Sequence, residues 1–117
     1  MKNNGRMEEV LEPTTFSQIS PVKESTIQRG IINYLRKTYP KAIVWKLTEE
    51  SLCGIPDVLF MHEGLVIFFE VKRTGGVTSK IQRSVIKRIN QNDIPAHVVT
   101  SVDGVKKILS KYLVDKE

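Results

Sequence analysis

The chain has 117 residues, 40% of them apolar, enough for one domain with a modest core and too few for a second. Eighteen Lys and Arg against 13 Asp and Glu leave a net charge of +5, which favours a polyanionic partner without naming one. The single cysteine, Cys53, excludes an internal disulfide and suits a reducing compartment, no apolar run reaches membrane-span length, and the first residues lack the hydrophobic stretch of a secretion signal, so a cytoplasmic protein is expected.

Residues 1–19 are polar, with Asn3, Asn4 and Gly5, an acidic pair at Glu8 and Glu9, and no sustained periodicity; they read as a mobile arm ahead of a domain at 20–117. Val10, Leu11, Phe16 and Ile19 could pack on the domain or on a second subunit. Ser20 and Pro21 predict a helix start, with Ser as N-cap and Pro at the first helical position. Ile27, Ile31, Tyr34 and Leu35 then recur at helical spacing over about four turns and should face a core, with Lys23, Arg29, Arg36 and Lys37 toward solvent or a phosphate backbone. Glu24, in the first turn, either complements the positive helix N-terminus or reaches a carboxylate site described below. Tyr39 and Pro40 end the helix, and residues 42–47 read as a strand with Ile43, Trp45 and Leu47 on one face and Val44 and Lys46 on the other. Trp45 is expected in the core rather than as a base-stacking surface. Residues 48–53 form a polar loop, a candidate for substrate contact, in which Glu49 and Glu50 are expected to be solvated.

The next stretch carries the chemistry. Residues 58–61 and 65–69 are apolar runs broken by Glu63 and Gly64, the pattern of two buried strands joined by a tight turn. With a two-residue turn, His62 faces Leu65, and counting back along both strands sets Asp57 opposite Glu70. Opposed Cβ atoms lie about 4.5–5.5 Å apart, so two carboxylates share one small volume. Side chains alternate faces along a strand, so Lys72 lies on the side of Glu70 and joins them. Like charges at that spacing, with hydration lost at the end of an apolar run, call for a cation between them; oxygen-only ligands suit Mg²⁺ or Mn²⁺. Glu70 and Lys72 alone would read as a surface ion pair, but that leaves unexplained why Asp57 lands opposite them directly after Gly54, Ile55 and Pro56.

Arg73, Thr74, Gly75, Gly76 and Val77 make a basic, glycine-rich segment, fit for a loop close to a phosphate backbone or for a plain turn. A second helix follows, with Ile81, Val85, Ile86 and Ile89 as its inward stripe against Lys80, Arg83, Lys87 and Arg88, and Ser79 with Gln82 forms a capping box. Residues 92–95 turn the chain into a short strand at 96–100, and a last helix directs Val105, Ile108, Leu109, Tyr112 and Leu113 inward. His62 and His97 have no partner at ligand or triad spacing and read as ordinary surface or sheet residues. The order is α-β-β-β-α-β-α, a single α/β domain with a small sheet flanked by helices.

Pro56-Asp57 with Glu70-Val71-Lys72 resembles the PD-(D/E)XK signature of metal-dependent nucleases. The wider set, Glu24, Gly54 to Asp57, Glu70 to Lys72, Gly75-Gly76 and Ser79 to Gln82, resembles the virus-type replication-repair nuclease (VRR-NUC) family over roughly residues 22–101. The resemblance implies a mixed sheet of restriction-endonuclease-like type, an ion held by Asp57, Glu70, the backbone carbonyl of Val71 and Glu24, and a catalytic group of Asp57, Glu70, Lys72, Gln82 and Glu24. Lys72 would orient or deprotonate the attacking water or offset charge on the transition state. Lys46, Arg73, Thr74, Gly75, Ser79, Lys80 and Arg83 are the expected nucleic-acid contacts. The implied activity is Mg²⁺- or Mn²⁺-dependent DNA cleavage, by analogy with small stand-alone members on branched DNA such as a four-way junction, and by a homodimer. A non-catalytic nucleic-acid-binding module and a restriction-type, sequence-specific endonuclease are the alternatives.

Overall fold

The computed structural model describes residues 22–50 and 52–113; the arm expected at 1–19, with Ser20 and Pro21, lies outside them. Seven elements follow in the expected order: α1 (Glu24–Thr38), β1 (Ile43–Lys46), β2 (Val58–His62), β3 (Leu65–Val71), α2 (Lys80–Gln91), β4 (Ala96–Val99) and α3 (Val102–Leu113). The strands form one sheet in the order β1-β2-β3-β4. The first two pairings are antiparallel and β3 runs parallel to β4, with α2 as the crossover between them.

The β2–β3 hairpin has the two-residue turn that the composition predicts. His62 pairs with Leu65 and Val58 with Phe69, and Glu63 and Gly64 both take positive φ, 51° and 87°, as a type I′ turn requires. This register puts Val58, Phe60, Ile67, Phe69 and Val71 on one face, where they are buried against Ile31 and Leu35 of α1 and Val105 and Leu109 of α3. The opposite face receives α2, which packs on β4.

Four local expectations are corrected. Helix α1 starts at Glu24 rather than Ser20: Lys23 is the N-cap, its backbone extended, and its carbonyl accepts the N–H groups of Thr26 and Ile27. Its extent follows the packed stripe of Ile27, Ile31 and Leu35 rather than the upstream start signal, because short helices owe most of their stability to tertiary packing. Trp45 is 53% exposed, not core. Val44 is the residue of β1 that turns to α1 and α3, so Ile43 and Trp45 face the other way, and bulk alone does not decide which face of an edge strand is covered. Helix α2, despite its apolar stripe, contains no buried residue, and Ile81 is 51% exposed, because α2 rests on one side of a sheet whose β1 edge it leaves open. In α3, Val105, Leu109 and Leu113 are buried as expected, whereas Tyr112 lies out and bonds His97 Nε2 through its hydroxyl at 3.1 Å. Arg36 is exposed as expected and in addition donates from Nη2 to the Val44 carbonyl at 2.8 Å, satisfying an acceptor on the edge strand.

The loop between β1 and β2 is fixed to α2 by Gly54, which has φ +82° and sits so close to helix α2 that a Cβ would overlap the Ile81 side chain and come 3.1 Å from Val85 Cγ2. Gly54→Ala is therefore expected to cost about 2–3 kcal/mol in chemical denaturation. Gly64→Ala, at φ +87° with nothing within 4 Å, should cost about 1 kcal/mol, from backbone strain alone.

Candidate metal and nuclease site

Asp57 is the last loop residue before β2, held by a buried Pro56 on one side and by its own carbonyl, which accepts the Leu47 N–H at 2.7 Å. Its Oδ2 accepts the Val71 N–H at 2.8 Å. The hairpin register therefore extends beyond the strand pairing, with a side chain taking over where the backbone ladder stops. Glu70, opposite Asp57, is 1% exposed. Lys72 emerges on the same face and places Nζ 3.4 Å from Glu70 Oε2, and its backbone N–H is bound by the Val99 carbonyl at 2.9 Å. The convergence of Asp57, Glu70 and Lys72 expected from the sequence is present.

The electrostatics are strained. Burial pushes the Glu70 carboxyl up to about 7, helped by the neighbouring Asp57 charge and opposed by Lys72. Burial also raises Asp57, with Glu24 and Glu49 adding to the rise and the Val71 N–H and Lys72 working against it. Lys72 alone does not compensate the buried Glu70 and the half-buried Asp57 beside it. Glu70 Oε1 is buried and has no hydrogen-bond partner, an acceptor that fits a cation rather than a packed core. Among the described residues no three of His, Cys, Asp and Glu group as metal ligands, so the acidic donors at this point are the pair Asp57 and Glu70.

Glu24 opens α1 without contributing a side-chain cap, within electrostatic reach of Asp57. Its charge reaches Asp57, as a role toward the carboxylates requires, but it does not group with Asp57 and Glu70 as a third ion ligand, so the ligand role expected for it is not brought together here. Gln82 completes the capping box, accepting the Ser79 N–H at 2.8 Å while its own N–H bonds Ser79 Oγ at 3.1 Å. Its Nε2 donates to Glu49 Oε2 at 3.3 Å, so its polar side-chain contacts run to Ser79 and Glu49. Glu49, expected to be merely solvated, is the residue that the sequence reading missed: its charge acts on both Asp57 and Glu70, and Gln82 holds it at the rim of the site. Nothing in its local pattern marked it, since only the folding of the loop onto α2 brings it there.

Lys46, Arg73, Thr74, Gly75, Ser79, Lys80 and Arg83 are all exposed. Gly75 has φ +82° and the Gly76 N–H bonds the Arg73 carbonyl at 2.8 Å, so this segment is a turn, presenting Arg73 and Thr74 beside Lys72. Arg83 spends one N–H on the Thr78 carbonyl at 2.6 Å.

A carboxyl whose pKa is higher in the folded than in the unfolded chain makes the folded state bind more protons, so stability falls as pH rises between the two values. For Glu70 that window runs from the ordinary 4.5 to about 7. In a chelator, the melting temperature is expected to drop by roughly 5–10 °C between mildly acidic and mildly alkaline pH. Glu70→Gln should remove most of that slope, and added Mn²⁺ should raise the melting temperature more on the alkaline side.

Two solved structures share this architecture. One, described as a "VRR_NUC domain", matches over 76% of this chain and 96% of its own length with a TM-score of 0.65 and 25% sequence identity. The other, a "VRR_NUC domain protein", matches over 80% of this chain and 90% of its own with a TM-score of 0.66 and 14% identity, a likeness of fold. No protein-family model and no curated protein matches the sequence.

Proposed function

We propose that this chain, assigned to the VRR-NUC family by its fold and its ordered motif residues, is a divalent-metal-dependent endonuclease acting on branched DNA. The observation that carries the reading is Glu70: a fully buried carboxylate with one oxygen on Lys72 and the other without a partner, facing Asp57. A strand whose only task was to complete a sheet would carry an apolar residue there. Asp57, Glu70 and the Val71 carbonyl would hold Mg²⁺ or Mn²⁺, with Glu24 and Glu49 adding negative charge around them. When bound, the ion lowers the pKa of water and neutralises charge on phosphate oxygens.

The chain's own groups do the rest. Asp57 is oriented by the Val71 N–H and cannot swing away from Glu70 without abandoning that bond. Lys72, mostly shielded from solvent, directs its ammonium to the scissile phosphate, where it orients the attacking water or offsets charge on the pentavalent transition state. Arg73, Thr74 and Lys80, exposed around that position, bind flanking phosphates and hold the substrate in register. One domain carries one such site, so paired cuts on opposed strands require two copies, and a homodimer is the expected working form.

Asp57→Ala and Lys72→Ala are each expected to lower cleavage of a synthetic four-way junction in Mg²⁺ or Mn²⁺ by on the order of 10²–10⁴-fold without loss of folding. Wild-type protein inert in both ions, or cleavage that survives both substitutions, would overturn the reading. Run beside linear duplex, flaps and supercoiled plasmid, the same assay is expected to favour the junction. Sedimentation should give a dimer.

A further inference from the structure

Trp45 is the only tryptophan in the chain and is 53% exposed on strand β1. It pairs with Leu59, which lies two residues beyond Asp57 on the same strand face, and the Leu47 N–H on the Asp57 carbonyl carries the β1–β2 pairing back to the acid itself. Trp45 therefore shares a sheet face with Asp57, Glu70 and Lys72, displaced from Asp57 by two residues, about 6.6 Å, along the strand. Among the described residues no hydrogen bond or ring contact engages its side chain. Stacked nucleotides advance by about 3.4 Å per step on one strand, so a strand with its phosphate at the carboxylates passes the indole about two steps away. Lys46 turns to the opposite face, so the cation on the face of the indole is Lys72, and with the whole chain at +5 this face, continuous with the carboxylate site, suits a polyanion better than a second copy of the same surface.

We propose that Trp45 is a stacking platform for an unpaired base about two nucleotides from the scissile phosphate, and that this contact makes the site prefer DNA with an unstacked base, as at a branch, over continuous duplex. The inference rests on the nuclease reading of the carboxylate site. An indole offers a π-face to any base, so the contact selects structure rather than sequence, and a base inside an intact helix is not available to it.

Because Trp45 is the sole indole, its emission reports the contact directly, and in a chelator the measurement is independent of cleavage. Emission is expected to be quenched on saturation with a four-way junction or a single-stranded oligonucleotide and to change little with blunt duplex. Trp45→Ala should weaken junction binding about tenfold, measured by fluorescence anisotropy of labelled DNA, with a much smaller effect on duplex, and Trp45→Phe should restore most of the loss. Anisotropy that reports junction binding while the indole emission stays unchanged overturns the role of Trp45 and leaves the nuclease reading standing. Emission that shifts with protein concentration in the absence of DNA, together with a Trp45→Ala variant that turns a dimer into a monomer, overturns it by assigning the indole to a self-interface. Absence of DNA binding by either signal removes both readings.

Discussion

The Asp57 carboxylate on the Val71 N–H is the contact on which the rest of the site depends. It is charge-assisted, it spans the mouth of the hairpin, and it replaces a backbone bond at the point where the β2–β3 ladder runs out. Through it the acid of one strand is locked at the level of the acid on the other. Gly54 and Pro56 fix the approach of the chain from below, the Leu47 N–H fixes it from β1, and Val99 fixes Lys72 from β4, so each group of the constellation is held by a different element. Sites supported in this way keep their geometry when a substrate pulls on them.

The arrangement is electrostatically unfavourable in itself. Burial raises both carboxyls, Asp57 and Glu70 repel one another, and two further acids, Glu24 and Glu49, raise Asp57 from the α1 and loop sides. Core packing on the far side of the sheet, where Phe60, Ile67 and Phe69 are fully buried under α1 and α3, offsets that strain. The sheet is thus divided by function: one face is buried through its centre and stabilises the fold, while the other is covered in part and carries the charges. Partial cover is why α2 keeps no buried residue and why Ile43 and Trp45 remain in water.

Much of this was legible in the chain. Glu63 and Gly64 between two apolar runs implied a two-residue turn, and arithmetic on that turn brought Asp57, Glu70 and Lys72 together. The order of elements and the capping box of Ser79 and Gln82 were equally local. What escaped was set by tertiary packing. Alternation in β1 grouped Trp45 with Ile43 but not which group would be covered, Glu49 reached the site only because its loop folds onto α2, and Arg36 found the Val44 carbonyl only once α1 lay beside the sheet edge. The start of α1 slipped for the same reason, a local signal at Ser20 and Pro21 giving way to the packed stripe.

The Glu63-Gly64 turn, finally, has an evolutionary corollary. It lies at the far end of a five-residue strand, about 17 Å from the acids, and touches none of them. A single inserted residue there, if passed on to the strands and not absorbed in a longer bulged loop, would shift the pairing by one and exchange the faces of every side chain on one strand, leaving Asp57 and Glu70 on opposite sides of the sheet. Among descendants of this chain, sequence at the turn is free to drift wherever positive φ is tolerated, whereas its length is inherited with the chemistry.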